Sequence, residues 1–159
     1  MMTFLPIEKD GSALEDVREL FREYEAELGE DLCFQSFEEE LKNPLKKYGP
    51  PGGILLLAKW QESSVACVAL TPLKEPGICE MKRLYVKPRF RHLGIGKKLV
   101  EIILDMAAKK EYVTMKLDTL ARLQSAITLY EKQGFKNISA YYENPLPDVV
   151  YMEKQLTAS

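Results

Sequence analysis

The residues of this chain best suited to chemistry form a short basic turn that is rich in glycine. Gly94 and Gly96 follow Arg91 and His92 and lead into a run with helical periodicity. A glycine turn that opens a helix directs several free N–H groups at one point, and the helix dipole adds positive potential there. This arrangement suits a phosphate or pyrophosphate, so the turn predicts an anionic ligand.

Two other phosphate-binding motifs compare less well with this turn. Gly94 and Gly96 could begin a dinucleotide fingerprint, with Asp118, 22 residues after Gly96, on the ribose. Leu99 stands where that fingerprint has its third glycine, and the unit follows an antiparallel run. A Walker A loop needs a closing Gly-Lys-Ser/Thr, which is missing here. A nicotinamide-dependent enzyme and a purely structural turn remain open as alternatives.

Hydrophobic periodicity places the turn within a chain of alternating helices and strands. Strands are predicted at residues 3–7, 54–60, 65–70, 78–86, 113–119, 135–142 and 149–156. Helices are predicted at residues 12–29, 36–43, 94–110 and 122–133, and a loop at 44–53. A strand–helix–strand unit around the helix at 94–110 requires a parallel pair of strands. The expected fold is α/β, with a mixed sheet and helices on both faces.

Size and composition are those of an ordinary soluble globular protein. Of the 159 residues, 46% are apolar and 29% charged, which predicts one domain over residues 1–159. No apolar run approaches the roughly 20 residues of a membrane span, and no secretory signal is evident. The three scattered cysteines favour a reducing, cytoplasmic location and neither a disulfide framework nor a metal site.

Charge is distributed unevenly along the chain. Residues 1–40 hold 13 acidic and 3 basic side chains, whereas residues 82–98 hold 7 Lys or Arg and no acid. The acidic segment is either a set of solvated helix faces or a rim that attracts a cationic substrate. Nucleic acid is not expected as a partner, because the chain is slightly acidic and few aromatic residues interrupt the basic block.

Two segments in register then resemble a known family. Residues 91–96 (Arg-His-Leu-Gly-Ile-Gly) match the R/Q-x-x-G-x-G/A signature of the GNAT N-acetyltransferase superfamily. Residues 129–135 (Leu-Tyr-Glu-Lys-Gln-Gly-Phe) are similar to its L-Y-x-x-x-G-F segment. The chain is identified as a small, single-domain, bacterial-type member. The resemblance implies a mostly antiparallel sheet in which one parallel pair of strands splays apart.

The resemblance also implies acetyl-coenzyme A as co-substrate, lying between the strands at 78–86 and 113–119. Backbone groups of the first strand would bind the pantetheine arm, and amides of the glycine turn would bind the pyrophosphate. A backbone N–H near Val86 would face the thioester oxygen. The implied cofactor-binding residues are Leu84, Tyr85, Val86, Arg91, His92, Leu93, Gly94, Ile95, Gly96 and Lys97.

Two residues are implied in catalysis. In many family members a tyrosine at the position of Tyr130 protonates the departing thiolate. Glu80 lies eleven residues before Arg91, where the histone-acetylating branch carries its base. A water relay is the alternative to Glu80, and a cofactor contact is the expected role of His92. One departure is Leu123, where many members carry asparagine.

The acceptor is expected opposite the cofactor, between residues 25–37 and residues 141–148. The implied substrate-binding residues are Tyr141, Tyr142 and Asn144, with the two tyrosines on opposite faces of a strand. Nearby Glu25, Glu27, Glu30 and Asp31 suggest a small cationic or amino-acid-like amine, attacked directly in a ternary complex. The alternative is a coenzyme A-binding sensor without turnover. Family members often form dimers, so a homodimer is an expectation of the resemblance.

Overall fold

The structure of the protein is a computed structural model, which describes residues 1–30, 32 and 36–156. The strands within these residues are β1 (Met2–Pro6), β2 (Ile54–Trp60), β3 (Ser63–Pro72), β4 (Ile78–Val86), β5 (Thr114–Leu120), β6 (Lys136–Ile138) and β7 (Val149–Gln155). The helices are α1 (Ser12–Leu28), α2 (Phe37–Lys42), α3 (Pro44–Tyr48), α4 (Ile95–Lys109) and α5 (Gln124–Lys132), with a 3₁₀ turn at Pro88–Phe90.

The strands form a seven-stranded sheet in the order β1-β2-β3-β4-β5-β7-β6. Every neighbouring pair is antiparallel except β4 and β5, which are parallel and are connected by α4. The predicted fold class, a mixed and mostly antiparallel sheet with one parallel pair, is therefore confirmed.

Both faces of the central sheet are buried, and helices cover each of them. In β2, Leu56 packs in the apolar cluster that contains α4, whereas Leu55 packs in the cluster that contains α1, α2 and α3. Strands covered on both sides read as continuous apolar runs, as β2 does over residues 54–58. The bounds of both β2 and β4 were predicted correctly. Among the described residues, no helix has the length and apolarity needed to cross a membrane.

The parallel pair separates soon after it forms. Pairing joins Ile78 to Thr114, Cys79 to Met115 and Glu80 to Lys116, and ends there, although β4 continues to Val86. The register of β4 with β3 also shifts near Arg83, whose φ of 61° marks a bulge. The two strands therefore open a space between them, which is where the resemblance places the ligand.

Two local predictions were wrong. The loop expected at 44–53 contains helix α3, which begins with a proline at its first turn and buries Tyr48. The long strand expected at 135–142 ends at Ile138. Residues beyond Ile138 turn back toward β7, because Tyr141 and Tyr142 pack against the ring of Tyr151.

Candidate active site

A cleft of about 570 Å³ lies along the end of β4 and the N-terminus of α4. The first backbone hydrogen bond of α4 runs from Lys98 N to Gly94 O, at 3.0 Å. The amides of Ile95, Gly96 and Lys97 therefore have no partner within the helix, and these residues line the cleft. The predicted anion-binding turn thus opens directly into this cleft.

The two glycines of the turn have different roles. Gly94 adopts φ 80°, a left-handed conformation that favours glycine, and a Cβ there would meet no atom within 4 Å. A Cβ on Gly96 would lie 3.6 Å from Leu129 Cδ2 and 3.8 Å from Val86 Cγ2, both of which line the cleft. Gly94 therefore allows the turn to form, and Gly96 keeps the cleft wall clear.

Arg91 ties this turn to α1. Its Nη2 donates to both carboxylate oxygens of Glu27, at 2.7 and 2.6 Å, and its Nε donates to Val86 O at 2.8 Å. The guanidinium also lies 5.7 Å from the ring centre of Tyr85. Of the other predicted turn residues, His92 lines the cleft, whereas the side chain of Leu93 is 68% exposed.

The backbone of β4 narrows the predicted contacts of the pantetheine arm. Lys87 N donates to Val65 O, and Val86 is paired with Ala66. Because backbone groups alternate in an antiparallel ladder, Val86 directs its N–H away from β3 and toward the cleft. By the same alternation, the backbone N–H and C=O of Tyr85 point toward β3 and pair with it. Tyr85 therefore contributes its side chain to the cleft.

A smaller chamber of about 70 Å³ continues from the cleft into the space between β4 and β5. Tyr24, Leu28, Leu84, Leu123 and Ala126 line both spaces, so the two adjoin. Polar residues of both strands also line the chamber, with Lys82 and Arg83 on β4 and Asp118 on β5. It is the part of the molecule where an acetyl group and an acceptor could meet.

Tyr130 lines this chamber and is only 7% exposed. Its ring contacts that of Phe135, with centroids 5.8 Å apart, and its carbonyl accepts from Phe135 N at 3.0 Å. Burial, and to a lesser extent the neighbouring Tyr24 and Asp118, raises the pKa of the Tyr130 hydroxyl above its ordinary value. The hydroxyl therefore stays protonated at neutral pH, as a proton donor must.

Glu80 is also buried, with 6% exposure, at the last paired position of the two parallel strands. Tyr141 donates its hydroxyl to Glu80 Oε2 at 2.6 Å, and Lys82 Nζ lies 3.7 Å from Glu80 Oε1. The structure thus joins the predicted base to one of the predicted substrate-binding tyrosines.

The other two predicted substrate-binding residues surround Asp118. The hydroxyl of Tyr142 donates to Asp118 Oδ2 at 2.9 Å, and Asn144 Nδ2 donates to the same oxygen at 3.0 Å. The expectation that Tyr141 and Tyr142 lie on opposite faces was wrong, because their rings contact each other at 5.3 Å. Since the strand has already ended, the alternation of side chains does not apply to them.

The acidic residues expected to attract a cation are already engaged. Glu25 accepts a hydrogen bond from Leu32 N, Glu27 pairs with Arg91, and Glu30 lies 3.5 Å from Arg122. Asp31 and Cys33 lie outside the described residues. Glu27 and Glu30 therefore neutralise basic side chains of the protein, and Glu25 binds a backbone amide.

Sequence reasoning missed three features of the site. Arg83 donates to both oxygens of Glu40, at 2.7 and 3.0 Å, and both side chains are 2% exposed. Tyr24, on α1, lines both spaces. Asp118 had been considered for a nucleotide ribose, whereas it lines the inner chamber. For Arg83 and Asp118 the sequence signal was a charged residue within a strand pattern.

The fold and this site together define a class of protein. Residues 14–135 match the model of the Acetyltransferase (GNAT) family. The chain belongs to this family, and the protein is an acyltransferase enzyme. The family uses acetyl-coenzyme A as co-substrate, and the free amides of α4 and Val86 described above fit such a ligand.

Particular relatives agree with this assignment. The chain is 47% identical over 145 residues to an uncharacterized N-acetyltransferase of Schizosaccharomyces pombe. The matched region covers 91% of this chain and 89% of that protein. The chain is 33% identical over 113 residues to the IAA acetyltransferase of Azospirillum brasilense, over 70% and 74% of the two chains. A GNAT acetyltransferase structure from Staphylococcus aureus has the same fold, with TM-score 0.79, 23% identity, and coverage of 98% and 100%.

Proposed function

We propose that the protein transfers an acetyl group from acetyl-coenzyme A to the amine of a small molecule, by direct attack in a ternary complex. The observation that carries the proposal is the opening between β4 and β5, which connects the free amides of α4 to a chamber lined by Tyr130. A ligand with a pyrophosphate at one end and a thioester at the other fits this sequence of groups.

Acetyl-coenzyme A supplies the activated acetyl group as a thioester. The amides of Gly96 and Lys97 bind its pyrophosphate, and the backbone of Leu84 and Val86 binds the pantetheine arm. The Val86 N–H stabilises negative charge that develops on the acetyl oxygen. These groups are backbone groups held by a helix and a strand, so they need little reorganisation during the reaction.

The remaining roles concern protons. The amine nitrogen forms a bond to the acetyl carbon as the bond from that carbon to sulfur breaks. An ammonium acceptor loses one proton to water before attack, and Glu80 takes the second through a water relay. Tyr130 gives its proton to the departing sulfur and is reprotonated from solvent.

The test compares Tyr130→Phe with wild type. Loss of a general acid typically lowers kcat by about 10² to 10⁴, and acetyl-coenzyme A affinity should change by less than about threefold. Turnover is followed by thiol release and affinity by calorimetry. The matched control is Tyr112→Phe, which removes a hydroxyl that donates to Gly52 O at 2.7 Å, away from the cleft. We expect this control to keep wild-type kcat.

Three results would contradict parts of the proposal. If Tyr130→Phe keeps wild-type kcat, another group protonates the sulfur. If wild-type protein binds acetyl-coenzyme A but acetylates no amine in a broad panel, the protein is a coenzyme A-binding sensor. NAD binding that outcompetes acetyl-coenzyme A in a thermal-shift assay would instead favour a nicotinamide-dependent enzyme.

A further inference from the structure

The polar lining of the inner chamber contains a cation and an anion at corresponding positions. Lys82 and Asp118 each lie two residues beyond the last paired residues, Glu80 and Lys116. Both residues line the chamber, one from each separating strand. A small molecule between the strands would therefore have a positive group on one side and a negative group on the other.

Lys82 is the unusual member of this pair. Its side chain is only 6% exposed. Among the described residues, Glu80 has the one carboxylate within 4 Å of the Lys82 ammonium, at 3.7 Å. That distance is too long for a direct hydrogen bond, and an ammonium has three donors to satisfy. Neighbouring Arg83, by contrast, is satisfied by the two oxygens of Glu40. The Lys82 donors are therefore available to a ligand.

The charges around Lys82 leave a positive excess. Lys47, Lys82 and Arg83 face the two carboxylates Glu40 and Glu80, so this buried group has three cations and two anions. Burial lowers the pKa of Lys47, and the neighbouring charge of Lys82 lowers it further. A bound carboxylate would balance the excess and supply hydrogen-bond acceptors for Lys82.

Asp118 differs from the other carboxylates because its partners are neutral. Tyr142 and Asn144 both donate to Oδ2, and no contact to Oδ1 is present among the described residues. Asp118 therefore has a second carboxylate oxygen that can accept from an N–H donor. Its side chain lines the same chamber as Tyr130, so an amine bound there would lie near the predicted proton donor.

We propose that the acetyl acceptor is a small amino carboxylate, such as an α-amino acid, with its carboxylate on Lys82 and its amine on Asp118. This inference rests on the function proposed above and names its substrate class. The chamber volume of about 70 Å³ limits the acceptor to a small molecule. The reaction and its proton balance are those already described.

The experiment measures kcat/KM for matched acceptors that differ in their acid group. Glycine, L-alanine and L-serine are compared with their amides and with methylamine, ethylamine and ethanolamine, at one pH and saturating acetyl-coenzyme A. We expect kcat/KM for each amino acid to exceed kcat/KM for its amide and for its matched simple amine by at least about tenfold. Amides or simple amines that react equally well would overturn the inference and leave the proposed function intact. If no acceptor is acetylated, both fail.

Variants separate the two ends of the acceptor. In Lys82→Gln, the ratio of kcat/KM for an amino acid to kcat/KM for its simple amine should fall close to one. Lys82→Arg should preserve the preference for the amino acid. Asp118→Asn should lower kcat/KM for acceptors with and without a carboxylate alike, because it acts at the amine. The control is Lys109→Gln, an exposed residue of α4 that pairs with Asp105. Thermal unfolding and acetyl-coenzyme A affinity verify that each variant is folded, and an unchanged ratio in folded Lys82→Gln would refute the assignment.

Discussion

Arg91 and Glu27 form a direct ion pair across the mouth of the cleft, with Arg91 Nη2 2.7 and 2.6 Å from the two carboxylate oxygens. Glu27 thus places a negative charge where the proposed ligand carries its pyrophosphate. Partly exposed pairs of this kind contribute about 0.2–1 kcal/mol. We therefore expect Glu27→Gln to tighten acetyl-coenzyme A binding by about twofold to fivefold, because it releases Arg91 and removes a repulsive charge.

Calorimetry at low and high salt checks this prediction, since the gain should shrink as salt screens the charges. The control is Glu19→Gln, which alters an exposed pair with Arg22 elsewhere on α1. Weaker binding in Glu27→Gln would mean that Glu27 instead orients Arg91 for the ligand.

The buried pair of Glu40 and Arg83 should matter most for stability. Both side chains are 2% exposed, and the guanidinium also lies 5.2 Å from the ring centre of Phe37. Removing one member leaves an uncompensated buried charge, which costs about 3–5 kcal/mol. We expect Glu40→Gln to lower the free energy of unfolding by about this amount in urea titrations. Glu39→Gln, in an exposed pair with Lys42 on the same helix, should change it by less than about 0.5 kcal/mol.

The same pair predicts a pH dependence of stability. Burial by itself would raise the pKa of Glu40, but the hydrogen bonds and charge of Arg83 outweigh it and hold the pKa below its ordinary value of 4.5. A carboxyl whose pKa is lower in the folded state stabilises the protein above the unfolded pKa. This contribution should be lost as pH falls below about 4.5 toward the folded pKa.

Unfolding measured between pH 7 and pH 3 tests that dependence. Wild type should lose stability progressively below about pH 4.5, and Glu40→Gln should lose less over the same interval because it lacks the titrating group. Identical slopes for the two proteins would show that other carboxyls account for acid unfolding.

Alanine substitutions at the two turn glycines should have separable effects. Gly94→Ala places a side chain in a left-handed conformation and should cost about 1–2 kcal/mol of stability. Gly96→Ala is tolerated by the helix, so we expect stability within about 0.5 kcal/mol of wild type. Its methyl group, however, points between Val86 and Leu129 in the cleft and should weaken acetyl-coenzyme A binding.

Thermal unfolding and acetyl-coenzyme A titration of both variants provide the comparison. If Gly96→Ala binds the ligand as tightly as wild type does, the pantetheine and pyrophosphate do not approach this part of α4.

Local sequence was sufficient to predict the elements around the turn. The bounds of β2 and β4 were predicted correctly, and α1 and α4 were predicted to within a residue at each end. Their apolar periods, and the glycines at positions 29 and 94, act over only a few residues. The strand predicted at 135–142 was too long, because the residues after Ile138 include two aromatic residues typical of strands. The end of β6 depends on its packing with β7.

The sequence by itself determined the family, the glycine turn and the position of Tyr130, because each depends on residues close together along the chain. Only the tertiary structure decided which side chains meet. Glu80 and Tyr141 are 61 residues apart, and Arg83 and Glu40 are 43 apart. The pairing of β4 with β5 ends at Glu80 and Lys116, two residues before Lys82 and Asp118, which both line the inner chamber. Such contacts depend on how the sheet and helices pack as a whole, so no local pattern along the chain could reveal them.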